Sequence, residues 1–429
     1  MLTNRPRGTY DLWSPEIEKW HYVENRIRDL CRRYGYTEVR TPVIEHAELF
    51  ERGVGETTDV VEKEMYTFTD RGDRRLTLRP EGTAPVLRAY LENGLHNGPQ
   101  PVKLFYLTTP MFRFERPQAG RFRQHYQFGV EVLGAGDAGL DLEIIDLPLR
   151  LLVELGVTDL VVRINSMGCP ECRPAYRERL QAYYRPLVDD LCPDCLRRLE
   201  VNPLRLLDCK RDKCLVLKQG APKTSDHLCG DCAGHFDALQ RGLTALNIPY
   251  EIDHQIVRGF DYYTRTVFEI IDSGLGAQNT VCGGGRYDGL VEVLGGNPTP
   301  GIGFGLGMER LLDVLQGHGV DLPGPRPLDI FIASLGADAR TVALRLLGEL
   351  RREGLAADVD YLDRGLRAQM RHAGRYPARS VVVIGDDEIT AGKARLRWLD
   401  TGVQEEITLD DPAAIAGLLR NSNRPPDGI

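Results

Sequence analysis

The chain has 429 residues, more than one hydrophobic core usually organises, so we expect two or three domains. Its 54 basic and 62 acidic residues give a net charge of -8, which excludes a protein whose whole surface binds nucleic acid. No window approaches the roughly 20 apolar residues of a membrane span, and no apolar signal region opens the chain. We therefore expect a cytoplasmic protein that has neither a membrane nor DNA as partner.

Apolar periodicity predicts the first elements. Over residues 14–34, apolar side chains recur every three or four positions after a Ser-Pro start, which predicts an amphipathic helix. Over residues 103–133 the period changes to two, which predicts two strands joined by a polar loop. The alternation places Arg113, Gln127 and Glu131 on one face of the sheet, opposite the apolar face. A face with both signs of charge indicates a ligand site.

The loop between these strands is rich in arginine, with the sequence Glu115-Arg-Pro-Gln-Ala-Gly-Arg-Phe-Arg123. A guanidinium group binds phosphate oxygens in a bidentate manner, and an arginine at a strand end is held more rigidly than one on a free loop. Arg113 is therefore the first candidate for a contact with an α-phosphate. A solvated basic hairpin is an equally open interpretation of the loop alone.

Two further segments suit an amino acid as ligand. Glu81 and Thr83 follow a strand-like run, where a carboxylate and a hydroxyl group could hold an ammonium group, although Thr83 could instead cap a helix. Tyr262 and Tyr263 follow Arg258 at the entrance to another strand-like run. Buried phenols need hydrogen-bond partners, and a bound imidazole could supply one.

Every second residue of Gly301-Ile-Gly-Phe-Gly-Leu-Gly307 is glycine. On a strand, one whole face would then lack side chains, so that a flat base could lie against the backbone. Arg310 falls at the start of the helix expected next. The spacing is neither a dinucleotide fingerprint nor a P-loop, and a close-packed sheet contact remains the alternative.

Eight of the ten cysteines form four closely spaced pairs. They are Cys169, Cys172, Cys192, Cys195, Cys209, Cys214, Cys229 and Cys232. In a cytosolic protein this spacing favours metal over disulfides and suits two four-thiolate zinc sites. A reduced, metal-free helical insertion is equally open, because free cysteine also behaves as a small buried hydrophobe.

Changes in composition suggest the domain organisation. A first domain in two parts, 1–167 and 241–321, is interrupted by a cysteine-rich helical subdomain at 168–240. A linker rich in proline and glycine at 322–327 leads to a small α/β domain at 328–420, and the polar tail 421–429 is expected to be disordered.

In the α/β domain, four arginines spaced by three, four and four residues predict one basic stripe on a helix. Such a stripe suits a phosphate backbone, and an ordinary solvated helix face is the alternative. The four arginines are Arg364, Arg367, Arg371 and Arg375.

Read together, these motifs resemble those of the class II aminoacyl-tRNA synthetases. Residues 113–131 are similar to motif 2 and residues 301–315 to motif 3, while residues 258–269 and 301–311 resemble the histidyl-tRNA synthetase family in particular. The resemblance runs from Arg5 to Gly402. It implies an α+β fold with a class II antiparallel sheet flanked by helices, a helical insertion and a C-terminal α/β anticodon-binding domain.

The resemblance also implies substrates and roles. Glu81, Thr83 and Gln127 would hold the α-amino group of L-histidine, Glu131 and Tyr263 would read its imidazole, and Tyr262 and Tyr287 would complete the pocket. Arg113 and Arg258 would clamp the ATP α-phosphate as the catalytic residues, with Arg258 where related enzymes place a metal ion. Arg121 and Arg310 would meet the outer phosphates, Glu115 and Gly305 would also contact ATP, and Mg²⁺ would accompany the pyrophosphate.

For the second step, Arg116 and Gln118 match family positions near the acceptor end of tRNA(His). The C-terminal domain would bind the anticodon, and the family forms homodimers. A catalytically silent relative, such as the regulatory subunit of ATP phosphoribosyltransferase, is the main alternative; such relatives lack the C-terminal domain and tend to lose the arginines that clamp ATP. A zinc-dependent nucleic-acid binder would explain the cysteines and the basic stripe but not the glycine strand.

Overall fold

A computed structural model describes residues 3–55, 58–116, 122–257, 260, 262–274, 280–375 and 377–421. The chain divides into two compact units, one ending at Pro323 and one beginning at Gly324. No helix among these residues combines the length and the apolar character needed to cross a membrane.

The first unit contains eleven strands and ten α-helices in the described residues. The strands are β1 (Thr37–Glu38), β2 (Ile44–His46), β3 (Tyr66–Thr69), β4 (Arg75–Leu78), β5 (Val102–Phe112), β6 (Gln124–Leu133), β7 (Leu160–Ser166), β8 (Tyr250–Ile252), β9 (Thr264–Asp272), β10 (Thr280–Arg286) and β11 (Gly301–Gly307). The helices are α1 (Glu16–Arg33), α2 (Ala47–Val54), α3 (Thr83–Glu92), α4 (Ala138–Glu154), α5 (Arg173–Tyr184), α6 (Pro193–Val201), α7 (Asp212–Lys218), α8 (Gly230–Ala245), α9 (Leu290–Val293) and α10 (Met308–Gly317).

Eight strands form the main sheet, in the order β1-β5-β6-β11-β10-β9-β7-β8. Its neighbours are antiparallel except for the parallel pairs β1 with β5 and β7 with β8. Strands β2, β4 and β3 form a separate small antiparallel sheet. The predicted α+β class is confirmed, and so is the hairpin at 103–133, which is the pair β5 and β6.

One face of the main sheet is closed by helices. The helix predicted at 14–34 is α1, whose buried residues lie at the predicted spacing and join a core with α4, α10 and the apolar face of β6. Phe128, Val130 and Val132 supply that face of β6 and are fully buried. Because side chains alternate along a strand, Gln127 and Glu131 must point to the opposite face. The candidate site lies on that face.

A helical insertion follows β7 and contains α5 to α8 before the chain returns to the sheet at β8. It has its own core, in which buried cysteines pack with Tyr176, Leu180 and Tyr184. Helix α8 continues to Ala245, past the predicted end of the insertion at 240. The insertion consists of short helices and turns, because prolines and paired cysteines interrupt its apolar pattern.

The second unit has a five-stranded mixed sheet in the order β13-β12-β14-β15-β16. Its elements are β12 (Leu328–Ser334), α11 (Ala337–Arg352), β13 (Ala357–Val359), α12 (Leu366–Arg375), β14 (Ala378–Ile384), α13 (Asp386–Ala391), β15 (Lys393–Trp398), β16 (Gln404–Thr408) and α14 (Pro412–Asn421). Strand β12 pairs in parallel with β13 and β14, and β14 to β16 are antiparallel. Asn421 ends a helix and does not belong to a tail as predicted, because the apolar face of α14 covers the sheet. Residues 422–429 lie outside the described residues.

Candidate active site

A cavity of about 550 Å³ lies in the first unit, on the face of the main sheet that carries Gln127. Sequence-predicted residues from six separate segments line it together. These residues are Glu81, Thr83, Arg113, Glu115, Gln127, Tyr262, Tyr263, Tyr287, Gly305 and Arg310. The fold therefore brings together residues that are far apart in sequence.

Glu81 lies two residues before helix α3 and forms part of the cavity wall. Its carboxylate accepts hydrogen bonds from the backbone N–H groups of Thr83, at 2.7 Å, and Ala84, at 2.9 Å. Burial raises the pKa of this carboxyl group, and these N–H donors and the charge of Arg113 oppose that shift. The interpretation of Thr83 as the helix cap is wrong, because Gly82 is the N-cap residue, Thr83 is the first residue of α3, and the Thr83 hydroxyl group contacts Glu131 instead.

Glu131 lies behind the cavity wall and is 1% exposed. Thr83 Oγ1 donates a hydrogen bond to Glu131 Oε1 at 2.7 Å, and the Tyr287 hydroxyl group donates one to Glu131 Oε2. Burial raises the pKa of Glu131 to about 8, although both hydroxyl donors favour the ionised form. Glu131 thus holds Thr83 and Tyr287, two side chains that do line the cavity.

Three phenols form an aromatic wall. The Tyr262 ring centroid is 4.7 Å from that of Tyr263 and 5.8 Å from that of Tyr287. Burial raises the pKa of Tyr262 and of Tyr287 well above the ordinary value, so both phenols stay protonated and can donate hydrogen bonds. Arg173 of the helical insertion donates a hydrogen bond to the Tyr263 carbonyl group. The insertion therefore supports this wall from behind.

The alternating glycines of β11 serve mainly to admit neighbouring side chains. A Cβ atom would lie 2.4 Å from the Tyr287 ring at position 301, 2.1 Å from Glu131 Oε2 at position 303 and 2.0 Å from Gln127 Nε2 at position 305. Only at Gly307, of these four, would it meet nothing closer than 3.7 Å. Side chains from β6 and the segment after β10 narrow the space over this face, but Gly303, Gly305 and Gly307 still line the cavity. Binding of a flat base against the glycine strand stays a prediction.

Two of the predicted arginines, Arg113 and Arg310, line the cavity. Arg113 follows β5, its Nε donates to the Pro80 carbonyl group at 2.9 Å, and its guanidinium lies 5.7 Å from the centroid of the Phe260 ring. Arg310 lies in the first turn of α10, as predicted. Because Pro80 directly precedes Glu81, the hydrogen bond from Arg113 to the Pro80 carbonyl group holds Arg113 beside the Glu81 segment.

Several cavity residues were not among the predicted site residues. They include Tyr106, Phe122, His125, Glu269, Glu309 and, from the insertion, Arg205 and Asp208. Burial and the nearby charge of Arg113 lower the pKa of His125 to about 3, so its imidazole is neutral. His125 and Glu309 adjoin predicted residues in sequence, which is a usable signal. Nothing local indicates Arg205 or Asp208, because the insertion reaches the cavity only through the fold.

Other predicted residues lie elsewhere. Arg116 is exposed and does not line the cavity, whereas Gln118, Arg121 and Arg258 lie outside the described residues. In the second unit, Arg367, Arg371 and Arg375 share helix α12. Arg364 does not belong to that stripe, because it precedes the helix and pairs with the buried carboxylate of Asp360. The eight paired cysteines come together as two groups of four.

Comparison with known proteins bears on this arrangement. A family model described as histidyl-tRNA synthetase matches residues 8–171 and 202–311, and one described as an anticodon-binding domain matches residues 329–416. The histidine–tRNA ligase of Desulforamulus reducens is 53% identical over 95% of this chain and 97% of its own length. That of Moorella thermoacetica is 54% identical over 95% and 96%, respectively.

Among solved structures, apo histidyl-tRNA synthetase of Staphylococcus aureus is similar over 96% of this chain and 99% of its own, with 38% identity and a TM-score of 0.82. The similarity therefore covers the main sheet, the insertion and the second unit. The chain belongs to the histidyl-tRNA synthetase family.

Proposed function

We propose that this chain activates L-histidine with ATP and transfers it to the 3′-terminal adenosine of tRNA(His). The observation that carries the proposal is the composition of the cavity, which joins buried carboxyl groups and neutral phenols to the guanidinium groups of arginines. Such a site can hold an ammonium group, an imidazole and a phosphate chain at the same time. Family membership supports the same reaction.

The carboxyl and phenol side of the cavity would bind histidine. We infer that Glu81, Thr83 and Gln127 hold the α-ammonium group and that Tyr263, Tyr287 and Glu131 form the imidazole subsite with Tyr262. Glu131 would act chiefly through Thr83 and Tyr287, whose hydroxyl groups donate hydrogen bonds to its carboxyl group. An isosteric amino acid without ring nitrogens would leave buried polar groups unpaired, a defect that can lower specificity constants by roughly 10⁴-fold.

The guanidinium side would bind ATP. Arg113 is the candidate for the α-phosphate, Arg310 for the outer phosphates, and Phe122 presents an aromatic ring to the same cavity. Arg258 and Arg121 join them by resemblance to the family. Glu115 and Glu269 also line the cavity and offer carboxylate oxygens of the kind that Mg²⁺ takes together with substrate phosphates. When bound, Mg²⁺ would neutralise phosphate charge.

The proximity of Arg113 to Glu81 suggests how the two substrates meet. If Glu81 holds the α-ammonium group, the histidine carboxylate lies next to the group that Arg113 binds, which is the α-phosphate. A carboxylate oxygen would attack the α-phosphorus, the bond to the bridging oxygen would break, and pyrophosphate would leave with the electron pair. Positioning and charge stabilisation dominate such a reaction.

In the second step, a ribose hydroxyl group of the terminal adenosine would attack the histidyl carbonyl carbon and release AMP. Arg116, exposed at the end of the described part of the β5–β6 hairpin, and Gln118 are proposed contacts of the acceptor end. Arg367, Arg371 and Arg375 are proposed contacts of the anticodon stem. Homodimer formation and a cytoplasmic location belong to the same proposal.

The regulatory-subunit alternative predicts histidine binding without chemistry. The match of residues 329–416 to an anticodon-binding domain and the presence of Arg113 and Arg310 in the cavity favour the synthetase. Charging of a tRNA(His) transcript with labelled histidine and ATP tests the choice. Histidyl-tRNA formation supports the proposal, whereas tight histidine binding with no charging of any bacterial tRNA would favour the regulatory subunit.

A further inference from the structure

Two groups of four cysteines are built into the helical insertion. The outer group contains Cys169, Cys172, Cys229 and Cys232, and the inner group contains Cys192, Cys195, Cys209 and Cys214. Within each group, all four Sγ atoms lie within 4.8 Å of one another. All four cysteines of the inner group lie in sequence between Cys172 and Cys229 of the outer group. The chain segment that the inner group closes therefore lies within the segment that the outer group closes.

The sulfur positions match a tetrahedron around a single metal ion. Cys169 Sγ is 3.7 Å from the Sγ atoms of both Cys172 and Cys229, and Cys172 Sγ is 3.9 Å from that of Cys232. In the inner group, Cys192 Sγ and Cys209 Sγ are 3.8 Å apart. A tetrahedral zinc ion with Zn–S bonds of about 2.3 Å holds its sulfur atoms about 3.8 Å apart. All ten cysteines are free, so no disulfide accounts for these contacts.

The starts of three helices carry sulfurs into the two groups. Cys172, Cys192 and Cys229 are the N-cap residues of α5, α6 and α8. The backbone N–H of Cys169 points to Cys172 Sγ at 3.2 Å. The inner group is fully buried, whereas Cys169 and Cys229 of the outer group are partly exposed. Four thiolates held this close would repel one another, and a divalent metal ion between them offsets that repulsion.

We propose that the insertion holds two structural zinc ions, one in each group of four cysteines. Four-thiolate tetrahedral sites select zinc or iron among common metals, and sulfurs this close leave room for one ion but not for an iron–sulfur cluster. With four protein ligands each site is closed, so the metal has a structural role and no open position for substrate.

The two ions would stabilise different contacts with the cavity. Arg173, next to Cys172, donates hydrogen bonds to the carbonyl groups of Met167, Gly168 and Tyr263. The outer site therefore holds the segment that supports Tyr263. The inner site includes Cys209, directly after Asp208, which lines the cavity.

Metal analysis of the full chain, purified without chelators after growth in zinc-supplemented medium, tests the inference. Two zinc ions per chain are expected by elemental analysis and native mass spectrometry. The double variants Cys169→Ser/Cys172→Ser and Cys192→Ser/Cys195→Ser should each retain one zinc ion, and Cys31→Ala, which removes a cysteine outside both groups, should retain two. Zinc content is independent of substrate turnover, so failure here would leave the proposed function untouched.

Fewer than two zinc ions in the wild-type chain, or iron in their place, would overturn the proposal. If a double variant does not fold, wild-type protein produced with cobalt provides a second measurement. Two equivalents of Co²⁺ with the charge-transfer and visible absorption of tetrahedral four-thiolate sites support the proposal. Cobalt bound without those bands contradicts it.

Discussion

Glu131 of β6 pairs with Gly303 of β11 so closely that a Cβ atom at position 303 would lie 2.1 Å from Glu131 Oε2 and 2.3 Å from the Val130 carbonyl oxygen. The glycine therefore admits the carboxyl group that holds Thr83 and Tyr287. Neither neighbour can move far, since one is backbone and the other is fixed by two hydroxyl donors. The proposed histidine subsite thus depends on a residue that has no side chain.

The substitution Gly303→Ala should lower the free energy of unfolding of the first unit by about 1–3 kcal/mol, the usual range for overpacking. It should also weaken histidine binding, because Glu131 is displaced. Gly307→Ala is the matched control on the same strand, where the nearest contact would be 3.7 Å. Calorimetric unfolding with and without histidine measures both effects. Equal effects of the two substitutions would contradict the packing argument.

Arg113→Ala should lower the rate of histidine-dependent ATP–pyrophosphate exchange roughly 100- to 1000-fold, the range for loss of one electrostatic stabiliser in a transition state. Arg113→Lys should restore only part of the rate, because an ammonium group lacks the planar fork of guanidinium. Arg75→Ala, which removes a mostly exposed arginine paired with Glu51, serves as the control and should keep the wild-type rate. An Arg113→Ala enzyme with a near-normal rate would exclude a role at the α-phosphate.

The stability of the first unit should depend on pH through Glu131. Its pKa in the folded protein, about 8, lies above its ordinary value of 4.5, so the folded state binds this proton more tightly than the unfolded state does. The associated stability is complete below about pH 4.5 and is lost as pH rises through about 8.

The wild-type thermal midpoint should therefore fall relative to that of Glu131→Gln between pH 6 and pH 9. Glu154→Gln is the control. Hydrogen bonding from Arg33 lowers the pKa of Glu154, so the contribution of Glu154 to stability changes only in the acidic range, below the pH values compared. If the thermal midpoints of the wild-type chain and of Glu131→Gln change in parallel across this range, Glu131 is already ionised at neutral pH and the prediction is wrong.

Replacing Arg367, Arg371 and Arg375 by alanine should raise KM for tRNA and flatten its dependence on salt by about one unit of slope for each lost phosphate contact. Because ATP–pyrophosphate exchange does not involve tRNA, the ratio of charging to exchange should fall. The measurement is charging kinetics at several salt concentrations. An unchanged salt slope would identify the stripe as an ordinary solvated face.

Removal of metal with a thiol-reactive mercurial and a chelator should expose residues 169–232 to proteolysis and raise KM for histidine. The reason is that Arg173 and the Tyr263 carbonyl group lose their support. Limited proteolysis followed by mass spectrometry locates the cleavage sites, and readdition of zinc should reverse the change. Cleavage confined to the second unit would contradict this coupling.

Local periodicity was enough to predict α1, the hairpin of β5 and β6, and the helix start that bears Arg310, because each depends on neighbours in sequence. The partners across strands were not predictable in this way. Alternating glycines indicate a special strand, but only the register with β6 shows that Glu131 and Gln127 occupy the space above it.

The cysteines show the same limit. Spacing indicates four pairs, but it does not determine which pairs join; the fold brings the start of α5 to the start of α8, where Cys169 meets Cys229 and Cys172 meets Cys232. Arg205 and Asp208 likewise reach the cavity only through the fold. Arg364 shows that a regular spacing can also predict too much. It fits the spacing of the arginine stripe, but it lies before the first residue of α12 and forms an ion pair with Asp360.

ATP–pyrophosphate exchange with each of the twenty amino acids, in the absence of tRNA, is the sharpest test of histidine activation by this chain. This half-reaction requires the carboxyl and phenol side of the cavity and the guanidinium side together. We expect exchange with histidine alone, and a rate that Arg113→Ala lowers roughly 100- to 1000-fold. Exchange with another amino acid, or no exchange with any amino acid by a chain that still binds histidine, would contradict this expectation.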